Sequence, residues 1–133
     1  MFKLNLLTPE KKVVVDLEIS EITVPTHSGE INVMPGHVPM ISNLGTGVLR
    51  YKVKSTGAQF KSVISSGYCE VSPEGVNVLT EFVQLKEEIS EEKAKAAGQQ
   101  AEQKLAKESL TDEEFEATLR EAQKARSALQ ALN

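Results

Sequence analysis

Along the front of the chain, apolar and polar residues alternate with a period of two. Phe2, Leu4 and Leu6 are separated by Lys3 and Asn5, the spacing of a strand with one face buried. The same reading predicts further strands at 13–19, 21–24, 31–34, 47–54, 59–65, 68–71 and 76–85. Turn chemistry separates several of them: Thr8-Pro9-Glu10, Ser55-Thr56-Gly57-Ala58 and Ser72-Pro73-Glu74-Gly75 combine the fixed φ of proline with the positive φ open to glycine. Pro35-Gly36-His37 interrupts one apolar run, which Met40 and Ile41 resume. Prolines 35 and 39 offer no N–H to a ladder, so this stretch belongs at a sheet edge or a crossing between sheets. After Gly45-Thr46-Gly47, Val48, Arg50 and Lys52 alternate with Leu49, Tyr51 and Val53, predicting a strand whose two faces meet different surroundings. Short strands at this spacing predict a sandwich or a flattened barrel.

Near Lys86 the pattern changes class. Every valine and every proline precedes that point, and every alanine except Ala58 follows it, exchanging a strong β former for the best helix former. Two helices are expected. Ser90 caps the first, with Glu91 and Glu92 in its opening turn and an apolar stripe of Ala94, Ala97, Ala101 and Leu105. A break at 108–110 precedes Thr111-Asp112-Glu113-Glu114, a capping-box spacing. The second stripe runs through Phe115, Leu119, Ala122, Ala125 or Arg126, Leu129 and Leu132. The fold class is therefore α+β: an N-terminal antiparallel β-sandwich over 1–85, then a C-terminal antiparallel two-helix hairpin over 86–133. Alanine seams bury little area, whereas ordering each residue costs ~1–2 kcal/mol of backbone entropy. The hairpin is thus expected to depend on the surface beneath it and to suit a two-state docking.

Composition narrows the function. A formal charge of −4 over 133 residues supplies no basic field for nucleic acid, and no apolar run reaches the ~20 residues of a membrane helix. The single cysteine, Cys69, cannot bridge internally. With His27 and His37 it falls short of a structural zinc set. As a nucleophile Cys69 is weakened by its place in an alternating strand, where a buried thiol is the default. The acidic pairs and triplets stand at helix starts, where capping and solvation account for them. No phosphate loop, dinucleotide fingerprint or nucleophile elbow is present, so a non-catalytic role is expected, with the Ser28–His37 region as the recognition loop.

The run from Gly29 to Leu49, with Gly29-Glu30 leading to Pro35-Gly36-His37-Val38-Pro39-Met40 and then the Gly45–Gly47 loop, resembles the epsilon subunit of bacterial F-type ATP synthases. The likeness extends through the class change near Lys86 to the alanine-rich helices. It implies a non-catalytic central-stalk subunit that binds the gamma subunit and the c-ring, coupling proton-driven rotation to ATP synthesis. It also implies a hairpin that restrains ATP hydrolysis, reaching the catalytic alpha/beta head when extended. By this resemblance His27, Ser28, Gly29 and Glu30 would contact the ring, and Met34, Pro35, Gly36, His37, Met40 and Ser42 the gamma subunit. No cofactor is implied, but ATP is a candidate regulatory ligand, because some members bind it through an Ile-Asp-x-x-Arg-Ala motif. Here the stretch is Ile89-Ser90-Glu91-Glu92-Lys93-Ala94, with serine for the aspartate and lysine for the arginine. Ile89, Lys93, Ala94 and Arg126 are the candidates, although lysine lacks the planar fork of arginine. The expected location is the cytoplasmic side of a bacterial inner membrane, peripheral and without membrane insertion. A reading from another class is a free-standing sandwich that binds a small ligand, with the helices serving dimerisation. The absence of tryptophan gives that reading little to stack on a sugar.

Overall fold

The computed structural model describes residues 1–106 and 109–132. Seven strands come first: β1 (Lys3–Leu7), β2 (Lys12–Thr26), β3 (Gly29–Val33), β4 (Met40–Asn43), β5 (Gly47–Val53), β6 (Gln59–Ser72) and β7 (Gly75–Leu85). A 3₁₀ turn (Lys86–Glu88) leads to α1 (Glu91–Leu105) and α2 (Asp112–Ala131). The helix break expected at 108–110 falls partly on residue 108, outside the described residues. The hydrogen-bonded path runs β1-β7-β6-β5-β2-β3, with β4 added to β6, and β1 also pairs with β2. The circuit therefore closes on itself, which spares its central strands an open edge. All pairings are antiparallel except β1 with β7, one parallel ladder in an otherwise antiparallel sandwich.

Two expected strand breaks are bends in longer strands. Segments 13–19 and 21–24 are the single strand β2, and Ser20 is the extra residue where Ile19 faces Val53 while Glu21 faces Lys52. A polar residue interrupts the alternation there because the strand bulges, not because it ends. Segments 59–65 and 68–71 are likewise one strand, β6, which takes β5 as neighbour along its first half and β4 along its second. Ser66 (φ +65°) and Gly67 (φ +115°) mark the change. A Cβ on Gly67 would stand 2.0 Å from the Leu79 carbonyl oxygen, so only glycine permits that approach.

Alternate residues of these strands meet in one core, including Leu4, Leu6, Ile19, Ile22, Val24, Leu49, Tyr51, Ile64, Cys69, Val76 and Val78. Val48 departs from the expected pattern. It is buried with Val63 on the opposite face, beneath Ala128 and Ala131 of α2 and Ala94 of α1. The helices thus make a second covered layer of what period-two reading leaves as the outer side of β5 and β6.

On α2 the buried residues are Thr118, Ala122, Ala125, Ser127, Ala128 and Ala131. Ala125, and not Arg126, takes the seam. Phe115 and Leu119, expected there, are 47% and 38% exposed, and Ala97 on α1 is exposed as well. Thr118 instead of Leu119 turns inward, ~100° away around the helix, because small side chains let the helices approach closely. Gly98 marks that approach: a Cβ there would lie 3.5 Å from the Ala125 Cβ. Both helix starts are capped as the residues predict, Ser90 Oγ accepting from Lys93 N at 3.4 Å and Thr111 Oγ1 from Glu114 N at 3.1 Å.

Candidate functional site

Two turns build the exposed corner of the sandwich. Between β2 and β3, His27 and Ser28 form the tip, and Gly29 (φ +110°) provides the left-handed backbone that closes it. Thr26 Oγ1 donates to the Gly29 carbonyl and accepts from Ser28 N, an arrangement that lets a hydroxyl replace missing ladder bonds. Glu30 pairs with Arg50 of β5 at 3.1 Å. His27, Ser28, Gly29 and Glu30 are all exposed.

The second turn is Met34-Pro35-Gly36-His37. His37 N donates to the Met34 carbonyl at 3.2 Å, and Gly36 has φ +85°. Proline second and a left-handed glycine third are the requirements of a type II turn, which explains both residues. The His37 ring closes on Val38, with Nδ1 donating to its carbonyl at 2.8 Å. That bond leaves Nε2 as the free ring nitrogen.

Met40 packs on the core and Ser42 pairs with Cys69 in the β4–β6 ladder. Met34, Val38 and Ile41, by contrast, are 54%, 74% and 71% exposed. Three exposed apolar side chains on one loop and its edge strand are a surface suited to a protein partner. Val38 and Ile41 escaped the motif reading because only their exposure distinguishes them from core residues.

Cys69 is buried in the core, where desolvation pushes its thiol pKa up. A protonated thiol is a poor nucleophile. Tyr51, stacked on Phe60 at 5.5 Å, has its phenol pushed up by burial and by the Glu87 carboxylate. Among the described residues no three His, Cys, Asp or Glu side chains gather as a metal site.

The candidate nucleotide residues are spread over three grooves, with Ala94 lining two of them. Ile89, Lys93 and Ala94 line one together with Lys124. Arg126 opens onto a groove between the helices, which it shares with Ala94, Gly98 and Leu129, and onto one between α2 and the sheet. Lys124, whose Nζ lies 4.3 Å from the Phe82 ring centroid, is the cation that α2 brings beside Lys93.

Comparison with known proteins agrees with this architecture. The family model for the ATP synthase delta/epsilon chain β-sandwich domain matches residues 1–86. The ATP synthase epsilon chain of Bdellovibrio bacteriovorus is 43% identical over 97% of this chain and 92% of its own length. The chain belongs to the ATP synthase epsilon family. The epsilon chain of Geotalea uraniireducens is 41% identical over 85% of this chain and 80% of its own. Among solved structures, a chain of the Euglena gracilis mitochondrial ATP synthase, from a complex of OSCP, F1 and c-ring, superposes with a TM-score of 0.87 at 24% identity. That match covers 99% of this chain and 81% of the other. Epsilon chains are non-catalytic subunits of a membrane-associated complex. Among the described residues no helix is long and apolar enough to cross a membrane.

Proposed function

We propose that this epsilon-family chain is a coupling and regulatory part of the central stalk, joining the gamma subunit to the c-ring. The observation that carries the reading is the exposed apolar corner of Met34, Val38 and Ile41 on an epsilon-family sandwich. In this reading the corner, with Pro35, Gly36, His37, Met40 and Ser42, packs on gamma, and the polar tip His27–Glu30 meets the ring. β3 separates the two by about 13 Å, four residues at ~3.3 Å each, so one rigid sheet edge can serve both partners. The hairpin supplies regulation. Its alanine seam on Val48 and Val63 buries little area, which makes release and extension toward the catalytic head affordable. ATP held by Ile89, Lys93 and Ala94, with Arg126 or Lys124, would favour the folded arrangement. The complex it serves lies at a bacterial inner membrane, this subunit on the cytoplasmic side.

Reconstitution tests the two halves separately. Ile41→Lys should lower retention of the chain on gamma and c-ring about tenfold or more, as for a charge placed in an apolar contact. Retention at the wild-type level would overturn the gamma assignment. Ending the chain after Leu85 should preserve rotor binding and raise ATP hydrolysis by the complex; unchanged hydrolysis would overturn the regulatory half.

A further inference from the structure

Sulfur is carried by three methionines and one cysteine in this protein, and the fold gives them opposite surroundings. Cys69 is fully buried in the sandwich core, where desolvation raises its thiol pKa, so it offers an oxidant neither access nor thiolate. Met40 is partly buried against the same core. Met34, by contrast, is 54% exposed. It opens the type II turn in which His37 N donates to its carbonyl at 3.2 Å, so the turn fixes its backbone and leaves its side chain outside. Met1, 84% exposed, shares a groove with Pro35 of the same turn. Within the exposed apolar corner of Met34, Val38 and Ile41, the methionine is the member whose polarity chemistry can change, because valine and isoleucine carry nothing that a mild oxidant attacks.

We propose that Met34 is a reversible oxidation site through which peroxide-class oxidants control docking of the free chain on gamma. The inference rests on the assignment of this corner to gamma. In the forward step the thioether sulfur attacks one peroxide oxygen with its lone pair and the O–O bond breaks. Proton transfer from the sulfur-bound hydroxyl to the departing hydroxide then gives the sulfoxide and water, sulfur having lost the two electrons that the peroxide gains. The product is polar and chiral where the parent was apolar and flexible. Pressed against an apolar partner surface, its oxygen loses water without gaining a donor, which disfavours docking. The corner is covered once docked, so the modification acts on chain that has not yet assembled. Reversal takes a methionine sulfoxide reductase and a dithiol, which becomes a disulfide as the oxygen leaves in water.

Limited hydrogen peroxide treatment of the isolated full chain, read by peptide mass spectrometry, tests the site. Met34 sulfoxide should form about tenfold faster than Met40 sulfoxide, following exposure, and Cys69 should stay reduced. In chain already reconstituted with gamma and the c-ring, conversion of Met34 should slow about tenfold as the partner shields it. Retention of the oxidised chain on gamma and c-ring should fall about tenfold, the effect of a polar group desolvated without a partner. It should recover after treatment with the two epimer-specific methionine sulfoxide reductases and a dithiol. Met34→Leu separates this residue from Met1: whatever its retention before treatment, peroxide should change it by less than about twofold, since leucine has no sulfur to oxidise. Equal oxidation of Met34 and Met40, unslowed oxidation in the complex, retention indifferent to the sulfoxide, or a loss that persists in Met34→Leu would each overturn the proposal. Ile41→Lys measured in parallel tells two failures apart. If it lowers retention while the sulfoxide does not, the oxidation site alone falls; if neither does, the gamma assignment falls with it.

Discussion

The two buried seams of this protein differ in what fills them. Within the sandwich, Leu4, Leu6, Ile19, Ile22 and Leu49 are fully buried, each contributing ~1.5–3 kcal/mol by leaving water. Between hairpin and sheet, the helices contribute buried Ala94, Ala128 and Ala131 against Val48 and Val63, with Ile89 and Leu129 only partly buried beside them, and an alanine brings a single methyl group. Large interlocked side chains make one arrangement much better than any other. A seam made largely of methyl groups fits closely but yields little per residue, so separating it should cost less. Both regions are close-packed, and their difference lies in the cost of separation.

Several substitutions should break or sharpen that contrast. Leu49→Ala in the sandwich core is expected to cost ~2–5 kcal/mol, seen as a fall in the denaturant midpoint of the whole chain. Ala128→Leu overfills the second seam, a change of ~1–3 kcal/mol. It should detach the hairpin while leaving the sheet folded, with amide exchange accelerating across α1 and α2 alone. Simultaneous loss of sheet protection would show the two seams to be one cooperative unit. Gly98→Ala runs the other way. Its Cβ would meet Ala125 at 3.5 Å, an ordinary contact, and the gain in helix propensity is ~0.5–1 kcal/mol, expected as slower exchange in α1. Alkaline titration is the gentlest probe and reports only the sandwich. Cys69 and Tyr51 have pKa values raised by burial, so the unfolded chain releases these protons first. Stability is intact below the ordinary thiol value of 9.0 and declines as pH rises past it and through the folded values. Cys69→Ala should flatten the first part of that decline.

Much of the site was legible in residue order because turns carry their own chemistry. Pro35 and Gly36 predict a break in the ladder, and the observed type II turn requires both residues. Ser90 and Thr111 announce helix starts for the same local reason. Less legible were Ser20 and Ser66, which look like strand ends and are bends. A bulge and a break remove the same residue from the alternation, and only the neighbouring strand distinguishes them. Lys124 beside Lys93 was not legible either, since helix periodicity gives relative angles on α2 but not which flank of the hairpin each cation faces.

From the order of residues alone came the class change near Lys86, the element types, the turns and the family, since each depends on neighbours a few positions apart or on a contiguous motif. Tertiary structure alone decided that Val48 is covered, that Phe115 and Leu119 are not, and that Arg50, Lys61 and Arg126 share a groove. Those outcomes depend on which surfaces meet across long stretches of chain. Periodicity records that a face exists; the packed partner determines whether it is buried.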